Sequence, residues 1–216
     1  MKKYLIIIFL IGIIFWTCVV NARSNTILNN KIIVIDPGHG GVDPGTIYND
    51  LYEKTINLKI SQILKSLLEK ENAKVIMTRN GDYDLSYPNA MHRKKSDFDN
   101  RIFIINNSNA DLYISIHLNY LNDSHYYGPQ VFYQDNEKLA DIMQKRLNEV
   151  SNSNRSIKTI PDNVYMYKKL NINGLLIECG FISNNEDRKR LTDYAYQLKF
   201  AKTVVESLKI YFTQFD

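Results

Sequence analysis

KIIVIDPGHGGVDPG, residues 31–45, sets the reading of the chain. Its first five residues have the length and β-branching of a buried strand, and they run into a loop crowded with glycine, proline and aspartate. Short apolar runs of the same kind recur at 74–78 (KVIMT), 112–118 (LYISIHL), 130–133 (QVFY) and 174–182 (GLLIECGFI). Between them the apolar residues take helical spacing. Ile56, Ile60, Ile63, Leu64, Leu67 and Leu68 follow Glu53 in one helix, and Phe98, Ile102 and Ile105 mark a second. Leu139, Ile142, Met143 and Leu147 mark a third, and Leu198, Ala201, Val205 and Leu208 the last. Residues 80–92 read as a polar loop, 151–162 as a flexible loop without periodicity, and VYMY (164–167) as an edge strand. Strands alternating with helices predict a single α/β domain, its mostly parallel central sheet flanked by helices on both faces. In such sheets sites form beyond the carboxyl ends of the strands.

Composition narrows the class. At 216 residues, 44% hydrophobic and 23% charged, the chain is neither disordered, collagen-like nor a coiled coil. Its net charge of +4 is too small to indicate a nucleic-acid partner. The start, MKKYLIIIFLIGIIFWTCVVNARS, places two lysines before an almost wholly apolar stretch. Residues 1–22 read as a signal peptide cut after Ala22, or as an uncleaved membrane anchor through residues 4–20. Residues 23–30 then form a linker and 31–216 the catalytic domain. On either reading the domain is exported. Beyond Ala22 the sole cysteine is Cys179, which leaves no intrachain disulfide and no cysteine-built zinc site.

Four residues stand where chemistry is expected. His39 lies in the loop after the first strand, His117 and Glu178 near the ends of two later strands, and Glu53 at a helix start. Two histidines and one carboxylate are the ligand set of a catalytic zinc with one open position, and a further carboxylate would move protons. Each residue also has a plainer reading. His117 fits a buried, hydrogen-bonded strand histidine, His39 turn chemistry or an anion-binding nest, and Glu53 a favourable charge on a helix dipole. Glu178 is harder to dismiss, since an acid inside LLIECGF is costly to bury unpaired. Asp36 and Asp43 are turn formers or partners that orient the His39 ring. His92 and His125 read as solvated, and Cys179 as an inert core thiol. The glycine-rich loop lacks a Walker lysine and a nucleophile-elbow serine, and HExxH is absent.

IVIDPGHGG with His39, Glu53 ahead of its helix, DLYISIHLN with His117 and LLIECGFISN with Glu178 occur in the order of the zinc-dependent N-acetylmuramoyl-L-alanine amidases, a family the chain resembles over roughly residues 31–212. MTR (77–79) and NRIFIINNSNADLYISIH (100–117) resemble that family too. RKKSDFDNR (93–101) and the lack of a wall-binding repeat are most similar to its spore-cortex, germination-specific branch. The resemblance implies Zn2+ on His39, Glu53 and His117, with Glu178 as the catalytic acid/base. It implies hydrolysis of the amide between N-acetylmuramic acid and L-alanine of the peptidoglycan stem peptide, in the cortex a step towards the muramic-δ-lactam needed for germination. Asn173 and Gly174 stand where the family often has a proline, which bears on loop geometry rather than on the ligands. No substrate-contact residue is carried over. Rival functions are a zinc hydrolase of another wall bond and a catalytically silent wall-binding or regulatory protein. Without a regulatory domain, an activating partner protein is a further expectation.

Overall fold

The computed structural model describes residues 26–215; the expected export segment, residues 1–22, lies outside them. Among the described residues eight strands are present: β1 (Ile32–Pro37), β2 (Ile47–Tyr48), β3 (Leu51–Tyr52), β4 (Lys74–Met77), β5 (Leu112–Asn119), β6 (Gln130–Tyr133), β7 (Lys158–Thr159) and β8 (Gly174–Phe181). Five α-helices accompany them: α1 (Glu53–Lys70), α2 (Arg93–Asn106), α3 (Glu137–Ser151), α4 (Asn185–Thr192) and α5 (Tyr194–Phe215). Among the described residues no helix is long and apolar enough to cross a membrane.

Six strands form one sheet in the order β4-β1-β5-β8-β6-β7. The pairs β1–β4, β1–β5, β5–β8 and β6–β7 are parallel, and β6 runs antiparallel to β8. This is the expected α/β domain with a mostly parallel sheet.

Alternation along the strands divides the side chains between two faces. Ile33, Ile35, Leu112, Ile114, Ile116, Leu175 and Ile177 enter the main core. There the stripe Ile56, Ile60, Leu64 and Leu68 of α1 meets Met143 and Leu147 of α3 and Phe200, Val204 and Leu208 of α5. Val34 and Tyr113 point the other way, into a smaller cluster with Ile105 of α2, Ile160, Met166 and Tyr167. The first face therefore carries most of the apolar burial, and the second is left thin enough to hold a polar cavity.

Two local expectations are corrected, and one helix comes unannounced. Residues 164–167 do not form an edge strand: they turn into a 3-10 helix, Tyr167–Lys169, that buries Met166 and Tyr167 under the sheet. Alternating Val, Tyr and Met suit either state, and burial against the second face decides. The expected loop 151–162 contains β7, paired with β6. The polar helix α4 has no apolar periodicity to announce it; its start is held by Asn184, whose side chain accepts from the Asp187 amide.

Leu64 is completely buried between sheet and helices. Leu64→Ala is expected to lower unfolding free energy by about 2–5 kcal/mol. Urea unfolding checks this as a fall in midpoint at unchanged slope.

Candidate active site

The site is built on the loop that follows β1. Two buried arginines hold that loop from inside. Arg101, on α2, bonds Asp36 Oδ1 at 2.7 Å, Asp97 Oδ2 at 2.8 Å, and the carbonyls of Pro37 and His39 at 2.8 and 2.7 Å. Arg79, just after β4, donates to the carbonyls of Pro37, Gly38, Gly81 and Lys54. Asp36 also accepts from Thr78 Oγ1 (2.6 Å) and Ser115 Oγ (2.8 Å), and Tyr167 donates its hydroxyl to Ser115. Burial by itself would raise the Asp36 pKa, but the Arg101 charge and the two hydroxyls outweigh it and hold the carboxyl below its usual range.

With its carbonyls turned inward, the loop presents the His39 side chain to the carboxyl edge of the sheet. His39 takes a left-handed backbone (φ 61°), uncommon for a residue with a side chain. Its Nδ1 lies 2.9 Å from Asp43 Oδ2 and its Nε2 3.2 Å from Glu53 Oε1. Of the two aspartates flanking His39, Asp43 orients the ring and Asp36 anchors the loop.

Glu53 is delivered by the β2–β3 hairpin, whose two central residues, Asn49 and Asp50, both have positive φ as a tight hairpin turn requires. It opens α1, but its carboxylate serves the site: Oε2 accepts the Thr46 amide at 2.9 Å and Oε1 the Leu118 amide at 3.0 Å. His117, on the second face of β5, places Nδ1 3.2 Å from the same Oε1. The two imidazole rings stand edge to face with centroids 5.0 Å apart.

Burial opposes the charge on His39, yet its contacts with Asp43 and Glu53 prevail and push its pKa up to about 9. Burial likewise opposes ionisation of Glu53, but both histidines drive its carboxyl far below the ordinary range. The fourth residue, Glu178, is the register partner of His117 on the adjacent strand and shares its face. Its Oε2 is shielded from water and has no hydrogen-bond partner. Burial, with a contribution from the Glu53 charge, raises Glu178 to about 7.

One donor atom from each of His39, Glu53 and His117 lies within 4.8 Å of the other two, a group able to hold a metal ion. The surroundings fit that use. A Cβ on Gly38 would strike the His117 ring at 2.2 Å, and one on Gly45 would meet His39 and Glu53 within 2.9 Å. Gly45 also has positive φ (66°), so a side chain there is excluded twice over. Asp43 on His39 is the outer-shell carboxylate that ligating histidines commonly have. His39, His117 and Glu178 line a cavity of about 260 Å³ whose floor includes Phe98, Met166 and Leu176. His92 is exposed, His125 is exposed and bonds Asp123 at 2.8 Å, and Cys179 is buried with a raised pKa; none joins the site.

An α/β sheet with a His–Glu–His cluster and a shielded acid at its carboxyl edge is the outline of a hydrolase built around a metal-binding group. The family model described as N-acetylmuramoyl-L-alanine amidase matches residues 33–209, and the chain belongs to that family. It is 37% identical over 195 residues to the germination-specific N-acetylmuramoyl-L-alanine amidase of Bacillus subtilis, covering 87% of this chain and 82% of the relative. It is 33% identical to the probable cell wall amidase LytH of Staphylococcus aureus over 89% of this chain, which spans 62% of that relative. Among solved structures, the CwlD amidase from Clostridioides difficile in complex with the GerS lipoprotein superposes with a TM-score of 0.80 at 39% identity, covering 86% of this chain and all of that one.

Removing the charge that faces Arg101 tests the frame. Asp36→Asn is expected to lower stability at pH 7 by about 3–5 kcal/mol, the cost of leaving a buried cation without its partner. Because the folded pKa lies below the unfolded one, the wild type keeps this contribution above pH ~4 and loses it as pH falls further. Denaturation of both proteins across pH 2–8 should therefore show the gap narrowing on the acid side.

Proposed function

We propose that this protein is a zinc-dependent N-acetylmuramoyl-L-alanine amidase that cleaves peptidoglycan between N-acetylmuramic acid and the L-alanine of the stem peptide. The observation that carries the reading is the convergence of His39, Glu53 and His117 beside the unpartnered, shielded oxygen of Glu178, on the fold of that family. Two imidazoles and one carboxylate suit zinc with a position left open. Bound there, zinc supplies Lewis acidity towards the lactyl carbonyl and acidifies water.

The chain supplies the rest. The Asp43 carboxylate accepts Nδ1–H of His39 and turns Nε2 towards Glu53 and His117, where it would give up its proton on binding an ion. Glu53, held by two backbone amides, would keep its place as one of the residues holding the ion. The Glu178 carboxylate, which lines the cavity, takes the proton of the attacking water and passes it to the departing alanine nitrogen, so the amide C–N bond breaks and a free amine leaves. The cavity beneath the site, with its apolar floor, receives the small groups around the scissile bond.

The likeness to a germination-specific amidase supports action on spore-cortex peptidoglycan, as a step towards muramic-δ-lactam. The likeness to a structure solved with a lipoprotein supports a protein partner here; activation by that partner is part of the proposal. Residues 31–216 are then the catalytic domain, residues 23–30 a linker, and residues 1–22 the signal or anchor that delivers it outside the membrane.

Mass spectrometry of products from purified peptidoglycan is the direct test. Stem peptides with a free N-terminal alanine and intact glycan are expected, and fragments from any other bond would refute the assignment. Glu178→Gln should keep its zinc and lose turnover by roughly 10²–10⁴-fold. Zinc analysis of His39→Ala and His117→Ala should show sub-stoichiometric metal; full occupancy in either would remove that residue from the ligand set.

A further inference from the structure

Segment 151–156 carries an arginine that the reaction described above does not use. The αL residue Asn152 (φ 52°) ends α3, and Asn148 of that helix gathers the turn that follows. Asn148 Oδ1 accepts from Ser153 Oγ, the Arg155 amide and Gln144, while its Nδ2 donates to the Arg155 carbonyl. Gln144 in turn accepts the Val131 amide and donates to the Pro129 carbonyl. Two side chains of one helix thus lock the backbone on both sides of Arg155 and Gln130 together.

The guanidinium itself is fixed. Its Nε and Nη2 donate to Gln130 Oε1 at 3.0 and 2.7 Å, and its carbon lies 4.9 Å from the ring centre of Phe181 and 5.8 Å from that of Tyr126. Gln130 is buried and gives its amide to the Ser156 carbonyl. Among the described residues, no carboxylate forms an ion pair with Arg155. Asp187, which accepts the Phe181 and Gly128 amides and pairs with Arg190 at 3.9 Å, feels the Arg155 charge from beyond ion-pair distance. An arginine held by a neutral amide and two aromatic faces has N–H donors left over beyond those given to Gln130.

Its position relates it to the site. Gln130 is the antiparallel register partner of Glu178, so the two side chains leave the same face of the sheet with Cβ atoms roughly 5 Å apart. We propose that Arg155 is a specificity-determining residue that binds a carboxylate of the stem peptide one residue beyond the alanine. The inference rests on the amidase reading for the identity of the ligand, an acidic peptide leading away from the cleaved amide. An extended peptide advances about 3.3–3.6 Å per residue, so a carboxylate one residue beyond the alanine falls within reach of a guanidinium placed one side chain away from Glu178.

Equilibrium binding of two free peptides tests the proposal: L-alanyl-γ-D-glutamate, and the same peptide with its α-carboxylate converted to carboxamide. Titrated into the zinc-loaded protein, the carboxylate form should bind at least about 10-fold more tightly, as a charge-assisted pair would give. Arg155→Gln should bind both forms equally, and Arg155→Lys should keep part of the preference, with both variants folded by circular dichroism at the titration temperature. Equal affinity of the wild type for the two peptides would overturn the proposal, as would a preference that survives in Arg155→Gln. Neither peptide contains the scissile bond. A protein that discriminates between them yet releases fragments from another peptidoglycan bond would therefore refute the amidase reading while leaving a carboxylate site at Arg155.

Discussion

A buried guanidinium needs several acceptors at once, and in this protein that need shapes the catalytic loop. Arg101 lies between strand and helix with almost no exposure, and two aspartates supply only part of its hydrogen bonding. The remaining donors go to the carbonyls of Pro37 and His39, while Arg79 takes the Pro37 and Gly38 carbonyls from the other side. Pairs of this kind add little net stability over an apolar replacement, because desolvation offsets the Coulombic gain. What they add here is geometry. A loop whose carbonyls are all committed inward has one way left to aim the imidazole between them.

The same economy of contacts runs through the other site residues. Backbone amides of Thr46 and Leu118 position Glu53, while β5 and β8 bring His117 and Glu178 side by side through their register. Each strand that enters the site is central in the sheet, covered by helices on the crowded face and by the polar cavity on the other. The division of labour between faces explains how a domain of this size keeps a continuous apolar core and still places buried acids at its edge.

Much of this was legible in the residues themselves. Parallel strands buried on both faces read as apolar runs stopped by turns, which is why β1, β5 and β8 could be drawn before any coordinates. Glu178 stood out as an acid inside such a run. The choice of Glu53 over Glu178 as the proposed ligand carboxylate rests on family resemblance, because spacing alone does not tell a helix-start acid from a dipole partner. Arg101 was overlooked although it lies on the stripe of Phe98, Ile102 and Ile105, where a cation signals a buried acid opposite, and Asp36 closing an apolar strand was that acid. Residues 164–167 misled because an alternating run says which side is covered and not which backbone covers it. Arg155 sits in a segment without periodicity, and its placement depends on tertiary bonds from Asn148 and Gln144 that no local pattern records.

Thr26 bonds the Glu71 carbonyl, and Leu28 is buried where α1 ends and β1 begins. Whatever precedes Thr26 therefore joins the domain at the amino end of the sheet, while His39 and Glu178 stand at the carboxyl end. Six residues of β1 separate the two, a rise of about 20 Å. The point where the chain enters the domain and the His–Glu–His cluster thus lie at opposite ends of the sheet, so anything attached through that end would leave the cluster facing away from it.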